Sequence, residues 1–213
     1  IAEHNTPGDT AAFGLESADP VVQEQNNLNV SAEECFEAVR IVNEEGGWRP
    51  GEDPEDAPTF GDHAPRRLPK LLPGINLLHG LKGEREATYE RNMAFLRRVY
   101  DEGYMLRRIN IRQVMSFDGT DMSDTGAEIA NEHKKLFKRY KKQVREEIDN
   151  PMLERVAPPG TVLPDVHLEY HQDGKTFGRQ LGTYPLLVGI AGGRELGRTI
   201  EDAPDPHGSP SAT

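Results

Sequence analysis

Three short stretches of this chain carry small or polar side chains at every second position, interleaved with apolar ones. Ala12, Gly14 and Glu16 alternate with Phe13 and Leu15. Gly74, Asn76 and Gly80 share one register and Ile75 and Leu77 the other. Arg108, Asn110 and Arg112 alternate with Ile109 and Ile111. A period of two belongs to a strand, whose successive side chains point to opposite faces. One face of each strand therefore packs on helices, and the other is small or polar. A buried guanidinium without a partner is too costly, so Arg108 and Arg112 require carboxylates, phosphates or water. The three polar faces together suit a hollow that holds a polar ligand. A sheet wetted on one face is the alternative, but parallel sheets are rarely left wet. A packed barrel interior would show branched apolar residues at these positions instead.

The elements that must position these residues are three consecutive strand–loop–helix units. Residues 72–84 (LPGINLLHGLKGE) read as a buried strand over 75–78, a glycine-punctuated loop and the start of a helix. Such units place chemistry at the strand's C-terminal end. Residues 9–15 suit a strand and 16–20 the turn beyond it. Ser31 and Glu34 form a capping box, and the helix behind it carries Cys35, Ala38, Val39 and Val42 on one face up to Gly46-Gly47. Cys35 therefore reads as a small core residue rather than a ligand. A helix over about 85–102 turns Tyr89, Met93, Leu96 and Tyr100 inward and ends at Gly103, and residues 106–115 form the third strand. His79 could face either way, and reads more simply as a satisfied core residue.

A long helix is expected over about 124–149, with an apolar stripe of Ala130, His133, Phe137, Tyr140, Val144 and Ile148 and a face rich in lysine and arginine. That basic face reads as solvated and favourable to the helix dipole, with an RNA-contacting face as the alternative. At Asn150-Pro151 the period changes to two. Val162, Pro164, Val166, Leu168 and Tyr170 share a face, Asp173-Gly174 marks a hairpin, and 184–190 read as another strand. The expected organisation is α/β over 1–150 with an irregular, partly disordered insertion at 47–70. A small all-β module follows over 151–200, then a disordered tail over 201–213.

Composition narrows the classes. The chain has 213 residues, a formal charge of -11 and 35% apolar residues, enough for one medium domain plus a small one. The acidic balance argues against a general nucleic-acid binder and fits a high-salt setting in which self-repulsion is screened. With one cysteine, no intrachain disulfide and no cysteine-based metal cluster arises from this chain alone. No apolar run approaches membrane-spanning length and the start shows no signal peptide, so a cytoplasmic protein is expected. The first residue is Ile1 and a strand starts within ten residues of it, which reads as a fragment of something longer.

The stretches Gly14-Leu15-Glu16-Ser17-Ala18-Asp19-Pro20, residues 72–84, Arg107-Arg108-Ile109-Asn110-Ile111-Arg112-Gln113-Val114 and residues 176–189 resemble the second half of a radical SAM barrel and the region after it. More narrowly, they are similar to archaeal radical SAM proteins with a C-terminal helix–hairpin–helix motif, described as Fe–S oxidoreductases. The resemblance implies a partial (β/α)6 barrel of which this chain supplies the fourth to sixth units. It also implies a 4Fe–4S cluster on a Cys-x3-Cys-x2-Cys loop, S-adenosylmethionine bound to the open iron, and reductive cleavage to a 5′-deoxyadenosyl radical. That cysteine triad is absent, so the cluster ligands lie outside this chain and the chain alone should be inactive. The helix–hairpin–helix is absent as well, and truncation at both ends or a frameshift is the simplest account.

Carried over residue by residue, the resemblance puts Glu16 and Ser17 at the ribose and Gly74, Asn76 and Gly80 against adenine, with Glu84 beyond. It has Gln113 to Met115 offering backbone groups to adenine. Arg108, Asn110 and Arg112 then face the substrate or the methionine carboxylate. The competing reading of Glu16 is a solvated turn residue or cap partner. A second function class is an RNA-binding module built on the basic helix and the β region. A third is a non-catalytic interaction module whose exposed sheet edge pairs with a partner chain, most simply the missing first half of the barrel.

Overall fold

Segments with a period of two become strands, and those with a period of three to four become helices. A computed structural model of the chain describes residues 1–50, 67–115, 125–182 and 185–203. The chain divides into two units, one of Ala11–Asn43 with Pro73–Leu153, the other of Ile1–Thr10, Glu44–Leu72 and Glu154–Thr213. The first is mixed α/β and the second is built on an antiparallel sheet.

In the α/β unit, strands β1 (Asp9–Glu16), β2 (Leu71–His79) and β3 (Arg108–Gln113) form a three-stranded parallel sheet in the order β1-β2-β3. The β2–β3 register sets Gly74 beside Arg108, Asn76 beside Asn110 and Leu78 beside Arg112. Leu15, Ile75 and Leu77 are buried on one face, each contributing about 1.5–3 kcal/mol by leaving water. Helix α2 (Ala32–Gly46) starts at the expected capping box: the Ser31 N–H donates to Glu34 Oε2 at 2.9 Å, and the Glu34 N–H to Ser31 Oγ at 3.2 Å. It buries Cys35, Phe36 and Val39. Helix α3 (Glu86–Asp101) buries Tyr89, Met93, Phe95, Leu96 and Val99, and Gly103 (φ 87) turns the chain out of it.

The turn expected over 16–20 runs directly into a short helix, and the start of the expected all-β module, 151–156, is helical as well. α1 (Pro20–Gln25) is capped by Asp19, whose Oδ1 accepts the Val21 N–H at 3.1 Å, with proline in its first turn. The single long helix expected over 124–149 is instead a series. α4 (Thr125–Glu132) gives way at His133 to α5 (Lys134–Val144), a π-helical turn (Arg145–Asp149) and α6 (Asn150–Val156). Pro151 does not end the helical stretch: it follows directly on the π turn, and Asn150 between them keeps helical backbone (φ -64, ψ -53). Tyr140, Val144 and Ile148 are buried as the period requires.

The second unit carries a four-stranded sheet in the order β6-β5-β4-β7, with antiparallel neighbours: β4 (Leu163–Gln172), β5 (Lys175–Gln180), β6 (Leu187–Ala191) and β7 (Thr199–Ala203). Asp173 (φ 49) and Gly174 (φ 73) make the tight β4–β5 turn, the backbone such hairpins select. The buried residues of β4 are Leu163, Val166 and Leu168, not a run starting at Val162. Asp165 (φ 53) breaks the alternation between them. Residues 199–203 pair with β4 rather than belonging to a tail, and 204–213 lie outside the described residues. Of the insertion at 47–70, residues 51–66 also lie outside them. Its flanks are tied: Arg49 donates to the carbonyls of Arg67, Arg155 and Val156 at 2.6, 3.1 and 2.9 Å, and the Lys70 N–H to Trp48 O at 2.9 Å. Among the described residues no helix is long and apolar enough to cross a membrane.

Candidate functional site

The face of the parallel sheet opposite the buried one is exposed at Ala12, Gly14, Arg108 and Arg112, half-buried at Glu16, Asn76, Leu78 and Asn110 and buried at Gly74, so among the described residues it is an open polar wall rather than a closed hollow. Glu16 ends β1 with φ 58, a left-handed conformation costing an L-residue about 1–2 kcal/mol. Strain of this kind persists where the surroundings impose it and concentrates at functional sites. The Glu16 carboxylate folds back over Gly14, where a Cβ would lie 2.7 Å from Oε1. Burial pushes its carboxyl above the usual carboxylate value, and the Arg112 guanidinium draws it back down. On the same face Asn110 Nδ2 donates to Asn76 Oδ1 at 3.1 Å. The wall is thus a carboxylate, an amide pair and the guanidiniums of Arg108 and Arg112, with Leu78 beside Arg112 and small residues at Ala12, Gly14 and Gly74. It can accept hydroxyl protons at one end and hold an anionic group at the other.

Of the residues expected at the site, Glu16, Gly74, Asn76, Arg108, Asn110 and Arg112 lie on this wall, and three do not. Ser17 is fully buried in the turn after β1, its Oγ accepting the Asp19 N–H at 3.2 Å and its carbonyl the Gln23 side-chain amide at 2.7 Å. Gly80 lies in the loop after β2 with φ 88, and its N–H donates to Glu84 Oε2 at 2.9 Å. Gln113 shares the register of Ile109 and Ile111 beside His79, on the opposite face from Arg112.

A buried network that no single motif signals lies at the C-terminal end of β2. Glu84 has a side chain 1% exposed and accepts four hydrogen bonds. His79 Nδ1 and the Gly80 N–H reach Oε2 at 3.0 and 2.9 Å, and the Tyr89 hydroxyl and His133 Nδ1 reach Oε1, each at 2.9 Å. A carboxylate only accepts, so both imidazoles carry a proton on Nδ1. Burial opposes ionisation of Glu84. The hydrogen bonds of His79 and His133, the attraction of His79 and the Gly80 N–H outweigh it, holding the carboxyl below its usual value. Tyr89 stacks on His79 at 4.4 Å, and burial raises its hydroxyl pKa well above the usual phenol range. The network ties the β2–α3 loop to the α4–α5 junction. Its signals in the sequence are a histidine and a glutamate five residues apart across two glycines, and His133 at an inward helical position. A second tie joins β1 to α3: the Thr88 hydroxyl donates to Asp19 Oδ2 at 2.7 Å and the Ala18 N–H to Asn92 Oδ1 at 2.7 Å.

Cys35 is 1% exposed inside α2, and burial pushes its thiol up to about 11, so it does not fit the role of an iron–sulfur ligand, which is a thiolate. Among the described residues no group of three or more His, Cys, Asp or Glu is placed to hold a metal ion. A cleft of about 300 Å³ between α3 and α5, lined by Tyr89, Met93, Arg97, Leu136 and Tyr140 among others, belongs to the helical side of the sheet and not to the polar wall.

No family model matches the chain. It is 50% identical over 191 residues, 89% of its own length, to an uncharacterized protein of Methanocaldococcus jannaschii. It is 42% identical over 193 residues, 90% of its length, to an uncharacterized protein of Archaeoglobus fulgidus. These matches cover 33% and 34% of the two relatives, so the chain spans about a third of the length of the curated proteins it matches.

Proposed function

We propose that this chain is the S-adenosylmethionine-binding part of a radical SAM enzyme, supplying the last three strands of a partial (β/α) barrel. The rest of the full-length protein would close the barrel. The observation that carries the reading is the polar wall itself: Glu16, Asn76, Asn110 and Arg112 share the face of the parallel sheet that is exposed, among the described residues, at Ala12, Gly14, Arg108 and Arg112. The chain's match to only a third of each relative leaves room for the first strands and a cysteine triad elsewhere in such a protein.

These residues fit the nucleoside and amino-acid ends of S-adenosylmethionine. The Glu16 carboxylate accepts from both ribose hydroxyls and offsets the sulfonium charge. Asn76, held by Asn110, presents an amide to the base, and Gly74 allows close backbone approach. Arg112 opposes the rise that burial causes in the Glu16 carboxyl and offers a guanidinium to a carboxylate. S-adenosylmethionine supplies radical chemistry only together with a reduced iron–sulfur cluster, and the one cysteine of this chain, buried Cys35, does not fit that cluster. This chain's contribution is therefore binding and orientation.

The nucleic-acid reading has no comparable support. The basic face of α5 is exposed, but Arg139 is paired with Glu86 at 3.2 Å and Lys142 with Glu146 at 3.7 Å, as on a solvated helix.

Titration of the full-length protein with S-adenosylmethionine tests the proposal. Glu16→Gln and Asn76→Ala should each weaken binding by about tenfold, the effect of losing a hydrogen bond to a charged or buried polar partner. Unchanged affinity in both variants, or no binding by the unaltered protein, would overturn it.

A further inference from the structure

We infer that Gly14 is a positioning residue for this site: the open space beside its Cα is the seat that lays the Glu16 carboxylate on the polar wall, facing Arg112. The inference rests on reading Glu16 as the ribose acceptor.

Gly14 does not have one of the positive-φ backbones of this chain, so glycine is not required there for conformation. Neither is it required by packing. A Cβ at Gly14 would meet Glu16 Oε1 at 2.7 Å and Glu16 Cδ at 3.7 Å, with no other described heavy atom within 4 Å beyond its chain neighbours. What the missing side chain accommodates is one carboxylate. Two features of Glu16 bring it there. Its left-handed backbone (φ 58) sends the side chain back along β1, and Arg112, on the same face of β3, attracts it.

The geometry makes Gly14→Ala a selective probe. Oε1 is the free end of a flexible side chain, so a methyl group at residue 14 displaces the carboxylate by a change of rotamer and leaves the strand in place. The charge stays, but the oxygen leaves the position from which it meets a ribose hydroxyl. Hydrogen bonds weaken steeply with such misplacement, and a shift of about 1 Å in a positioned group has large effects on function.

The test is a double-mutant cycle in the full-length protein, with S-adenosylmethionine as the probe and affinity by titration calorimetry as the readout. Gly14→Ala should weaken binding by about fivefold to tenfold with an unaltered far-UV spectrum and melting temperature. In the Glu16→Gln background the same substitution should cost almost nothing further, because the group it displaces no longer contributes; coupling of this kind identifies residues that act through one another. A backbone or packing role for Gly14 would weaken binding equally in both backgrounds and overturn the inference. So would a Gly14→Ala protein that loses its fold, or one that binds normally while Glu16→Gln does not. If neither variant changes binding, the reading of Glu16 fails as well, so the two failures are distinguishable.

Discussion

Replacing Glu84 by alanine should lower the free energy of unfolding by about 3–5 kcal/mol, the range for removing one side of a buried charged network. The substitution strands four donors at once: two imidazole N–H groups, a phenol and the Gly80 N–H. The Glu84 side chain is 1% exposed, so water cannot readily replace it, and each stranded donor costs on the order of 1–3 kcal/mol. Glu84→Gln keeps the shape but turns one acceptor into a donor facing two others, and should lose about half as much. Urea titrations of the two variants against the unaltered protein measure this directly, through the midpoint at constant slope. The same network predicts an acid limb. Its folded-state carboxyl lies below the unfolded value of 4.5, so its contribution is complete above about that pH and is lost as pH falls through the folded value. That limb should vanish in Glu84→Gln. A loss below about 1 kcal/mol for Glu84→Ala would mean that the carboxylate does not join the β2–α3 loop to the α4–α5 junction.

Reversing the charge at Arg112 should weaken S-adenosylmethionine binding by the full-length protein by roughly 30- to 100-fold, since it places like charges beside each other on one wall. Arg112 is exposed, so the substitution should leave the melting temperature nearly unchanged. The milder Arg112→Gln separates two contributions. Burial raises the Glu16 carboxyl and Arg112 lowers it, so without the guanidinium the carboxyl should take up its proton at a higher pH. If the ionised form is the acceptor, binding by Arg112→Gln should fall away at a higher pH than in the unaltered protein. In Glu16→Gln this acid dependence should disappear. Equal pH profiles in Arg112→Gln and the unaltered protein would show that Arg112 does not act on Glu16.

The polar wall was legible because period-two alternation fixes a face without any tertiary information. Once 12–16, 74–80 and 108–112 are strands, Glu16, Asn76 and Arg112 fall on the same side. The capping box at Ser31 and the hairpin at Asp173-Gly174 were legible for a similar reason, since both depend on residues within three positions of each other. Reading failed where distant partners decide. Ser17 has the side chain of a ligand-binding residue, but its hydroxyl is taken by the Asp19 N–H. Glu84 and His133 are 49 residues apart, and nothing in their spacing reveals that they meet. The helical continuation past Pro151 depends on a π turn just before it, which no local propensity signals. The role of Gly14 needed coordinates, because the space it leaves is defined by the path of a neighbouring side chain.

The most direct test of the wall as a nucleoside site is a structure of the full-length protein with S-adenosylmethionine bound. The ribose hydroxyls should lie within about 2.6–3.2 Å of the Glu16 carboxylate, with the base against Gly74 and Asn76 and Arg112 on the same side of the sheet. A ligand seated elsewhere, or the Glu16–Asn76–Arg112 face filled by other protein side chains, would contradict the account.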